Sequence, residues 1–391
     1  MLKIQTLNKI DPEGLRVFPS SKYEIVSETA FPDAILLRSF AMHEMEIPDS
    51  LQAVARVGAG VNNIPIDRCT NKGVVVFNTP GANANAVKEL VIAGMLLASR
   101  DLQGGIAWAQ TLKPEGDKVP ALVEKGKAAF GGFELKGKTL AIIGLGDVGV
   151  LVANAALSLG MKVIGFDPFI TVDNAWRLDQ KIARSESIEG CLAQADFVTL
   201  HVPLMDATRG LINAEKIAVM KDGVKILNFA RGELVANADI IAGVERKKVA
   251  CYVTDFPDAS LLNVPGVIPI PHLGASTNES EVNCAIMAAN QLIDFFENGN
   301  ICNSVNFPKA TMDRNCCARI IIANRNIPNM VSQITAILAR ENINIANMLN
   351  RNKNEIAYNI IDTDQNEIQD AVLKNIKAIE GVLMARTIPS K

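Results

Sequence analysis

Short apolar runs alternate with amphipathic segments along residues 1–305, and this alternation predicts an α/β architecture with parallel strands. The apolar runs predict strands at residues 33–38, 51–57, 73–77, 140–144, 162–166, 197–201, 224–228, 250–254 and 267–270. Helical spacing of apolar residues predicts helices at 86–98, 150–159 and 278–297. The strands fall into an early and a later run, so we expect two successive α/β units.

A third, smaller unit is expected at the C-terminal end. Asn306-Phe-Pro308 is typical of a linker, and the pattern restarts after it. The predicted elements are strand 317–325, helix 328–340, strand 343–350, strand 354–362, helix 367–379 and strand 382–388. The order βαββαβ is typical of a ferredoxin-like sandwich. We therefore expect a separate domain over residues 317–391.

Bulk composition excludes several classes of protein. The 391 residues carry a net charge of −3, with no basic run typical of nucleic-acid binding. The longest apolar stretch, residues 90–98, is about half the length needed to cross a bilayer. The seven cysteines show no Cys-x-x-Cys spacing and no zinc-ligand intervals with histidine. We therefore expect a cytoplasmic protein with reduced thiols, no metal site, and no nucleic-acid or membrane partner.

One glycine pattern carries the strongest chemical signal. Gly144, Gly146 and Gly149 lie between a predicted strand and a predicted helix. This spacing allows a tight turn, the approach of a pyrophosphate to N–H groups at a helix N-terminus, and close packing of helix on strand. Asp167 ends the next strand, 23 residues after Gly144, where a carboxylate binds the hydroxyls of an adenosine ribose. Because a carboxylate repels a 2′-phosphate, the sequence predicts NAD rather than NADP.

Polar residues that suit a redox reaction follow the strands of this unit, where doubly wound sheets bind their ligands. Arg231 is suited to binding the carboxylate of a 2-oxo or 2-hydroxy acid through two parallel hydrogen bonds. His272 is suited to proton transfer, since the unperturbed pKa of histidine is about 6.5. We interpret His201 as a residue beside the nicotinamide, and His43, in a helical context, as a surface histidine.

Four motifs occur in order along the chain: Gly-Leu-Gly-x-Val-Gly, Leu-His-Val-Pro-Leu, Asn-x-Ala-Arg-Gly-Glu-Leu-Val and Pro-His-Leu-Gly-Ala-Ser-Thr. Together they resemble the NAD-dependent D-2-hydroxyacid dehydrogenase family over residues 1–305. The resemblance implies a Rossmann-type doubly wound cofactor domain, residues 98–277, inserted in a flavodoxin-like α/β substrate domain, residues 1–97 and 278–305. The C-terminal unit resembles an ACT domain, with Asn326-Ile-Pro-Asn-Met330 similar to its turn.

The resemblance also implies roles for individual residues. Arg231 would bind the substrate carboxylate, His272 would be the acid/base, and Asp258 would be its carboxylate partner. The family's Asp-Val-Phe-x-x-Glu-Pro glutamate is missing from Thr254-Asp-Phe-Pro-Asp258, so Asp255 remains the alternative partner. The implied cofactor contacts are Gly144, Gly146, Asp147, Val148, Gly149, Asp167, His201, Val202, Pro203, Phe229, Ala230, Asp255 and Gly274. The implied substrate contacts are Arg38, Ser39, Ala59, Gly60 and Val61, with Lys88 or Arg56 as further phosphate ligands.

The ACT-like unit implies a substrate from amino-acid metabolism. The combination implies oxidation of D-3-phosphoglycerate to 3-phosphohydroxypyruvate, the first step of L-serine biosynthesis, in a homodimer or homotetramer. L-Serine would be the effector, with Asn326 and Asn344 as its contacts, and Asn329 stands where the ACT turn has glycine. Three alternatives stay open: a sister enzyme acting on hydroxypyruvate or glyoxylate, an NAD-sensing binding protein, and an ACT-like unit that serves dimerisation alone.

Overall fold

Two parallel sheets and one antiparallel sheet form the framework of the protein, and the computed structural model describes residues 1–314 and 317–390. The strands are β1 Leu2–Leu7, β2 Tyr23–Val26, β3 Ala34–Leu37, β4 Ala53–Arg56, β5 Val75–Phe77, β6 Thr139–Ile143, β7 Lys162–Phe166, β8 Ala183–Arg184, β9 Phe197–Leu200, β10 Val224–Asn228, β11 Val249–Thr254, β12 Val267–Pro269, β13 Arg319–Arg325, β14 Ile345–Lys353, β15 Ile356–Thr363 and β16 Val382–Ile388. The α-helices are α1 Pro12–Arg16, α2 Ile66–Asn71, α3 Ala84–Ser99, α4 Leu102–Thr111, α5 Val119–Gly126, α6 Asp147–Ser158, α7 Val172–Trp176, α8 Ile188–Ala193, α9 Ala214–Val219, α10 Asn237–Glu245, α11 Asn278–Asn298, α12 Met330–Arg340 and α13 Asp370–Lys377. The chain divides into two compact units, Met1–Asn83 with Asn278–Lys391, and Ala84–Thr277.

The first unit contains a five-stranded parallel sheet of order β2-β1-β3-β4-β5. Its central strand β3 is buried at all of its positions, because both faces of the sheet are covered. Helix α11 packs on one face, where Phe295 meets Phe77 edge-on with ring centroids 5.7 Å apart. Arg38 and the turn 58–61 follow β3 and β4, so they lie at the same edge of this sheet.

The second unit contains a seven-stranded parallel sheet of order β12-β11-β10-β9-β6-β7-β8. This order confirms the predicted doubly wound fold, since the chain builds outward in both directions from the pair β6–β9. The glycine turn joins β6 to α6 at that switch point, where such sheets bind ligands. His201, Asp255 and His272 follow strands of this sheet, as the sequence predicts.

Helix α3 belongs to the second unit, so the boundary predicted after residue 97 lies at residues 83 and 84 instead. Val87, Val91 and Met95 are buried in the same core as β6 and β10. Gly94 of this helix lies against Phe229, where a Cβ would come within 2.9 Å of the ring. A helix joins the sheet on which it buries its apolar face, and sequence order alone does not reveal which sheet that is.

The helices of the protein were compared with the length and apolar character that a membrane span requires. Within the described residues no single helix is both long and apolar enough to cross a bilayer, and only the pair α3 and α4, bent by 67°, passes the test of length and composition.

The C-terminal segment forms a four-stranded antiparallel sheet of order β14-β15-β13-β16 with helices α12 and α13. This arrangement confirms the predicted βαββαβ order. The turn before α12 also forms with asparagine in place of glycine, since Asn329 adopts the left-handed conformation with φ 71°. Asparagine tolerates that conformation better than most residues.

Both faces of this antiparallel sheet are buried at its two central strands, β13 and β15. Ile320 and Ile322 face α12 and α13, whereas Ile321 and Tyr358 lie in one core with the β1–β5 sheet and α11. Accordingly β15 is buried at all eight of its positions. The expected separate domain is therefore part of the first compact unit, because the second face of its sheet is covered by that unit's own helix. Alternating apolar residues alone do not show what covers each face.

Candidate active site

The glycine turn between β6 and α6 is shaped to leave backbone N–H groups open. Gly144 has φ 96°, and a Cβ there would lie 2.6 Å from the carbonyl oxygen of His201. At Gly149 a Cβ would lie 2.0 Å from the carbonyl oxygen of Gly144, so side chains are excluded at both positions. Nothing lies within 4 Å of a Cβ at Gly146, which precedes α6 without any side-chain cap. A phosphate therefore has free access to this helix N-terminus.

Asp167 is oriented by the same turn. Its Oδ2 accepts the Leu145 N–H at 2.7 Å, and its Oδ1 accepts the Phe169 N–H at 2.8 Å. Two hydrogen bonds to backbone fix the carboxylate at the end of β7, where an adenosine ribose is bound in this type of fold. Asp147 instead pairs with Arg177 at 2.9 Å. The turn, the open helix N-terminus and the fixed carboxylate together fit NAD.

The remaining predicted cofactor contacts lie at the same edge of the sheet. Val202 and Pro203 follow β9, and Phe229 and Ala230 follow β10. Val148 lies in the first turn of α6.

His201 is held neutral by its surroundings. Burial lowers the pKa of its imidazole to about 3, and its Nε2 lies 3.1 Å from Thr199 Oγ1. A group that stays neutral throughout the physiological range does not serve as an acid/base at pH 7. His201 therefore fits the predicted role of a residue beside the cofactor.

The substitution His201→Gln is expected to make the fold less sensitive to acid. The folded-state pKa of about 3 lies below the unfolded value of 6.5, so the stability gained from keeping the imidazole neutral is present above pH 6.5 and is lost as the pH falls towards 3. The loss is at most about 1.4 kcal/mol per pH unit. Urea unfolding at about pH 7 and about pH 5 measures the difference.

His43→Gln is the matched control for that experiment, because His43 is exposed and its imidazole makes one hydrogen-bond contact among the described residues, 3.0 Å to Asn62 O. An equal acid sensitivity of wild type and His201→Gln would contradict the assignment of a neutral imidazole.

Arg231 is presented to solvent by a buried scaffold. The Asn228 side chain is fully buried, accepts the Ala230 N–H at 3.2 Å and donates to the Arg231 carbonyl at 2.8 Å. The Arg231 guanidinium donates only to the Ala230 carbonyl, at 2.7 Å, among the contacts of the described residues, and it is exposed. Most of its N–H groups thus remain free for a carboxylate.

Phe256 brings the two predicted catalytic residues to one place. Its ring centroid lies 4.4 Å from that of His272 and 5.9 Å from the Arg231 Cζ. Sequence reasoning missed Phe256, although its position directly after Asp255 at the end of β11 was a signal. The Phe256 ring therefore lies close to both the guanidinium and the imidazole.

Asp255 is the carboxylate that is electrostatically linked to both residues. Burial raises its pKa, against the lowering effects of the Gly274 N–H, of His272 and of Arg231. Its Oδ2 accepts the Gly274 N–H at 3.2 Å, and its Oδ1 has no hydrogen-bond partner among the described residues. A buried carboxylate with one free oxygen is suited to stabilising an imidazolium.

Asp258 occupies a different environment from the one predicted. Its carboxylate accepts the Ser260 Oγ–H at 2.5 Å and N–H at 2.9 Å, and the Asn237 Nδ2–H at 2.7 Å. These bonds, that of the Ser260 side chain foremost, lower its pKa. Asp258 thus caps its own exposed loop, and the structure favours the alternative, Asp255, as the partner of His272. The sequence does not show which aspartate is the partner, because Asp255 and Asp258 lie only three residues apart in the same short loop.

The first unit presents the predicted substrate contacts at the edge of its own sheet. Gly58 donates its N–H to Thr79 Oγ1 at 2.7 Å, and the N–H groups of Ala59, Gly60 and Val61 have no partner among the described residues. Asn78, which sequence reasoning missed, donates to the Ala59 carbonyl at 2.7 Å and so holds the turn open.

The predicted phosphate ligands differ in availability. Arg38 pairs with Glu281 at 2.8 Å, and Ser39 beside it is exposed. The Arg56 guanidinium lies against Gly58, where a Cβ would be 1.4 Å from its Nη1. Lys88 belongs to the second unit and donates to Asn85 at 2.6 Å.

The predicted effector residues lie at opposite ends of the C-terminal sheet. Asn326 donates its backbone N–H to the Glu355 carbonyl, at the start of β15. Asn344 accepts the Asp364 N–H, at the end of the same strand. Eight residues of extended strand separate the two ends by about 26 Å. One chain therefore does not bring these two asparagines together.

The family model for "D-isomer specific 2-hydroxyacid dehydrogenase, NAD binding domain" matches residues 92–274. Residues 92–274 therefore belong to the NAD-binding domain of the D-2-hydroxyacid dehydrogenase family, a family of oxidoreductases, and the cofactor is NAD.

Several relatives and one solved structure carry the name of one enzyme of that family. D-3-phosphoglycerate dehydrogenase of Archaeoglobus fulgidus is 34% identical over 301 residues, 74% of this chain and 54% of that protein. The Escherichia coli K12 protein of the same name is 29% identical over 352 residues, 87% of this chain and 82% of that protein. The structure of NAD+-bound 3-phosphoglycerate dehydrogenase of Entamoeba histolytica has a TM-score of 0.60 and 29% identity, over 78% of this chain and 98% of that one. This chain spans 54 to 60% of the length of the first curated relatives it matches.

Proposed function

We propose that the protein oxidises D-3-phosphoglycerate to 3-phosphohydroxypyruvate with NAD, the first step of L-serine biosynthesis. The observation that carries the proposal is the cluster of Arg231, Asp255 and His272 around Phe256, at the ligand-binding edge of an NAD-binding sheet. The names of the relatives support the choice of substrate.

Each residue of the cluster has a distinct task in this reaction. Arg231 binds the carboxylate of phosphoglycerate, since its guanidinium forms two parallel hydrogen bonds with such a group. His272 takes the proton from the C2 hydroxyl, and Asp255 stabilises the imidazolium that results. NAD, held by the glycine turn and Asp167, would supply the acceptor for the C2 hydride. The N–H groups of Ala59, Gly60 and Val61 are further ligands of the carboxylate, and Arg38 and Ser39 are ligands of the phosphate.

The direct test is NADH formation by the purified protein with D-3-phosphoglycerate at mildly alkaline pH, where release of a proton favours oxidation. Turnover is expected with this substrate. No turnover, together with rapid NADH oxidation by hydroxypyruvate or glyoxylate, would move the protein to its sister enzymes. NAD binding without turnover of any of these substrates would favour an NAD-sensing protein.

The matched pair Asp255→Asn and Asp258→Asn tests which carboxylate assists His272. We expect Asp255→Asn to lower kcat about 10- to 100-fold, because a neutral amide does not stabilise the imidazolium. Asp255→Asn is also expected to raise the melting temperature at neutral pH. Burial raises the pKa of Asp255, which means that the folded state disfavours the ionised carboxylate. At a pH above that pKa the carboxylate ionises, and its charge then destabilises the fold. Asparagine carries no charge and removes this cost.

Asp258→Asn serves as the control and should leave kcat within about twofold of wild type. The reverse order of the two effects on kcat would restore Asp258 as the partner of His272.

Assembly, regulation and location complete the proposal. We propose a homodimer or homotetramer with L-serine as effector, in which Asn326 and Asn344 of different chains form the effector site, because one chain separates them. Titrating L-serine into the phosphoglycerate assay tests this: indifference to serine would leave the C-terminal sheet without an effector. The free cysteines at Cys69, Cys191, Cys251, Cys284 and Cys302 support a cytoplasmic location.

A further inference from the structure

Helix α11 ends in a set of side-chain donors that come from beyond the helix. The last carbonyl groups of any helix lack partners within the helix and need donors from elsewhere. Here every carbonyl from Phe295 to Gly299 has one. The donors are Arg386 to Phe295 O and Phe296 O (3.2 Å for the latter), Arg314 to Glu297 O (2.6 Å), Arg319 to Asn298 O (2.7 Å) and Tyr358 to Gly299 O (2.8 Å).

Three of these four donors belong to the C-terminal sheet. Arg319 lies on β13, Tyr358 on β15 and Arg386 on β16. Cations at a helix C-terminus also interact favourably with the helix dipole. The C-terminal sheet therefore satisfies the end of a helix that belongs to another sheet.

The donors are themselves held firmly. The Arg319 side chain is fully buried, forms an ion pair with Asp362 at 2.6 Å, and donates to the carbonyls of Met312 and Asp313 as well. The Arg386 guanidinium stacks on the Phe295 ring, with 4.5 Å between Cζ and the ring centroid. The buried Arg319 guanidinium, with its hydrogen bonds satisfied, is a rigid donor, because any movement leaves a buried charge unpaired.

The body of α11 contacts the proposed substrate ligands. Glu281 in its first turn pairs with Arg38 at 2.8 Å. Gln291 donates to the Asn78 carbonyl at 3.0 Å, and the Asn78 side chain in turn donates to the Ala59 carbonyl. One helix therefore connects the C-terminal sheet with both elements that we propose to hold phosphoglycerate.

We propose that Arg319, Tyr358 and Arg386 are positioning residues for the substrate: by clamping the end of α11, they set the place of Arg38 and of the turn 59–61. The positioning of a phosphoglycerate site rests on the proposed function, whereas the clamp itself does not. Since the nucleotide-binding residues lie in the other compact unit, loss of the clamp is expected to affect substrate binding and to leave NAD binding unchanged.

The test uses the full chain with Tyr358→Phe and Arg386→Lys, two mild changes that each remove part of the clamp. Arg340→Lys is the matched control, since Arg340 is exposed in the last turn of α12. Hydrogen exchange of residues 292–299 is expected to be about tenfold faster in the two variants, and exchange of residues 57–63 is expected to rise with it. The KM for phosphoglycerate is expected to rise about threefold to tenfold, with the KM for NAD unchanged.

Each contrary outcome has a separate meaning. Unchanged exchange at residues 292–299 would overturn the clamp. Faster exchange there, with residues 57–63 and the substrate KM unchanged, would overturn the positioning role. An equal rise in the KM for NAD would show general loosening of the fold and overturn the proposal. If wild type does not oxidise phosphoglycerate, the proposed function fails, while exchange at both segments still decides the clamp and its reach.

Discussion

Replacing His272 with asparagine is expected to lower kcat for phosphoglycerate by about three orders of magnitude, the usual contribution of a positioned acid/base. Asparagine retains a polar side chain at the strand end but does not take a proton at neutral pH. NAD affinity should be unchanged, because the glycine turn and Asp167 are held by other contacts. Steady-state kinetics and the quenching of protein fluorescence by NADH provide the two measurements.

His43→Asn is the control for this experiment, since His43 lies in the other compact unit and is exposed. It should retain kcat within about twofold. Full turnover by the His272 variant would remove the acid/base assignment and direct the search to another proton acceptor.

Replacing Arg231 with lysine is expected to lower kcat/KM for phosphoglycerate about 10- to 150-fold, the loss of one of two hydrogen bonds. Lysine keeps the charge but presents a single ammonium group, whereas the guanidinium forms two parallel bonds, each worth about 1.5–3 kcal/mol. The variant also loses the approach of a planar cation to the Phe256 ring. Initial rates over a range of phosphoglycerate concentrations measure the loss.

Arg246→Lys, an exposed change at the C-terminal end of α10, is the matched control and should be silent. A normal kcat/KM in the Arg231 variant would mean that the substrate carboxylate is bound elsewhere, with the turn 59–61 as the first candidate.

Local signals identified most of the fold before any coordinates. The spacing of Gly144, Gly146 and Gly149 predicted the turn, and the structure explains the requirement, since Cβ atoms at Gly144 and Gly149 would collide with backbone carbonyls. The βαββαβ order of the C-terminal unit was predicted in the same way. The spacing of apolar residues differs between strands and helices, and this spacing is a local property of the chain. The carboxyl ends of the strands then predicted where Arg231 and His272 lie.

Non-local packing decided the features that the sequence left open or misassigned. Helix α3 joined the second unit, and the C-terminal sheet joined the first, because each buries an apolar face against a partner distant in sequence. Strand pairing, which is also non-local, separates the two proposed effector residues. The antiparallel pairing of β13 and β14 with β15 places residues 326 and 344 at opposite ends of β15.

By itself, the sequence determined the type of the elements that it predicted, the glycine turn, the NAD preference through Asp167, and the strand-end positions of the arginine and the histidine. Only the tertiary structure decided that Asp255 rather than Asp258 is linked to His272, that Phe256 joins His272 to Arg231, and that the C-terminal sheet caps α11. The physical reason is that turn geometry and periodicity depend on neighbours in the chain. The partner of a buried carboxylate or of a helix-end carbonyl depends instead on which distant groups are desolvated together.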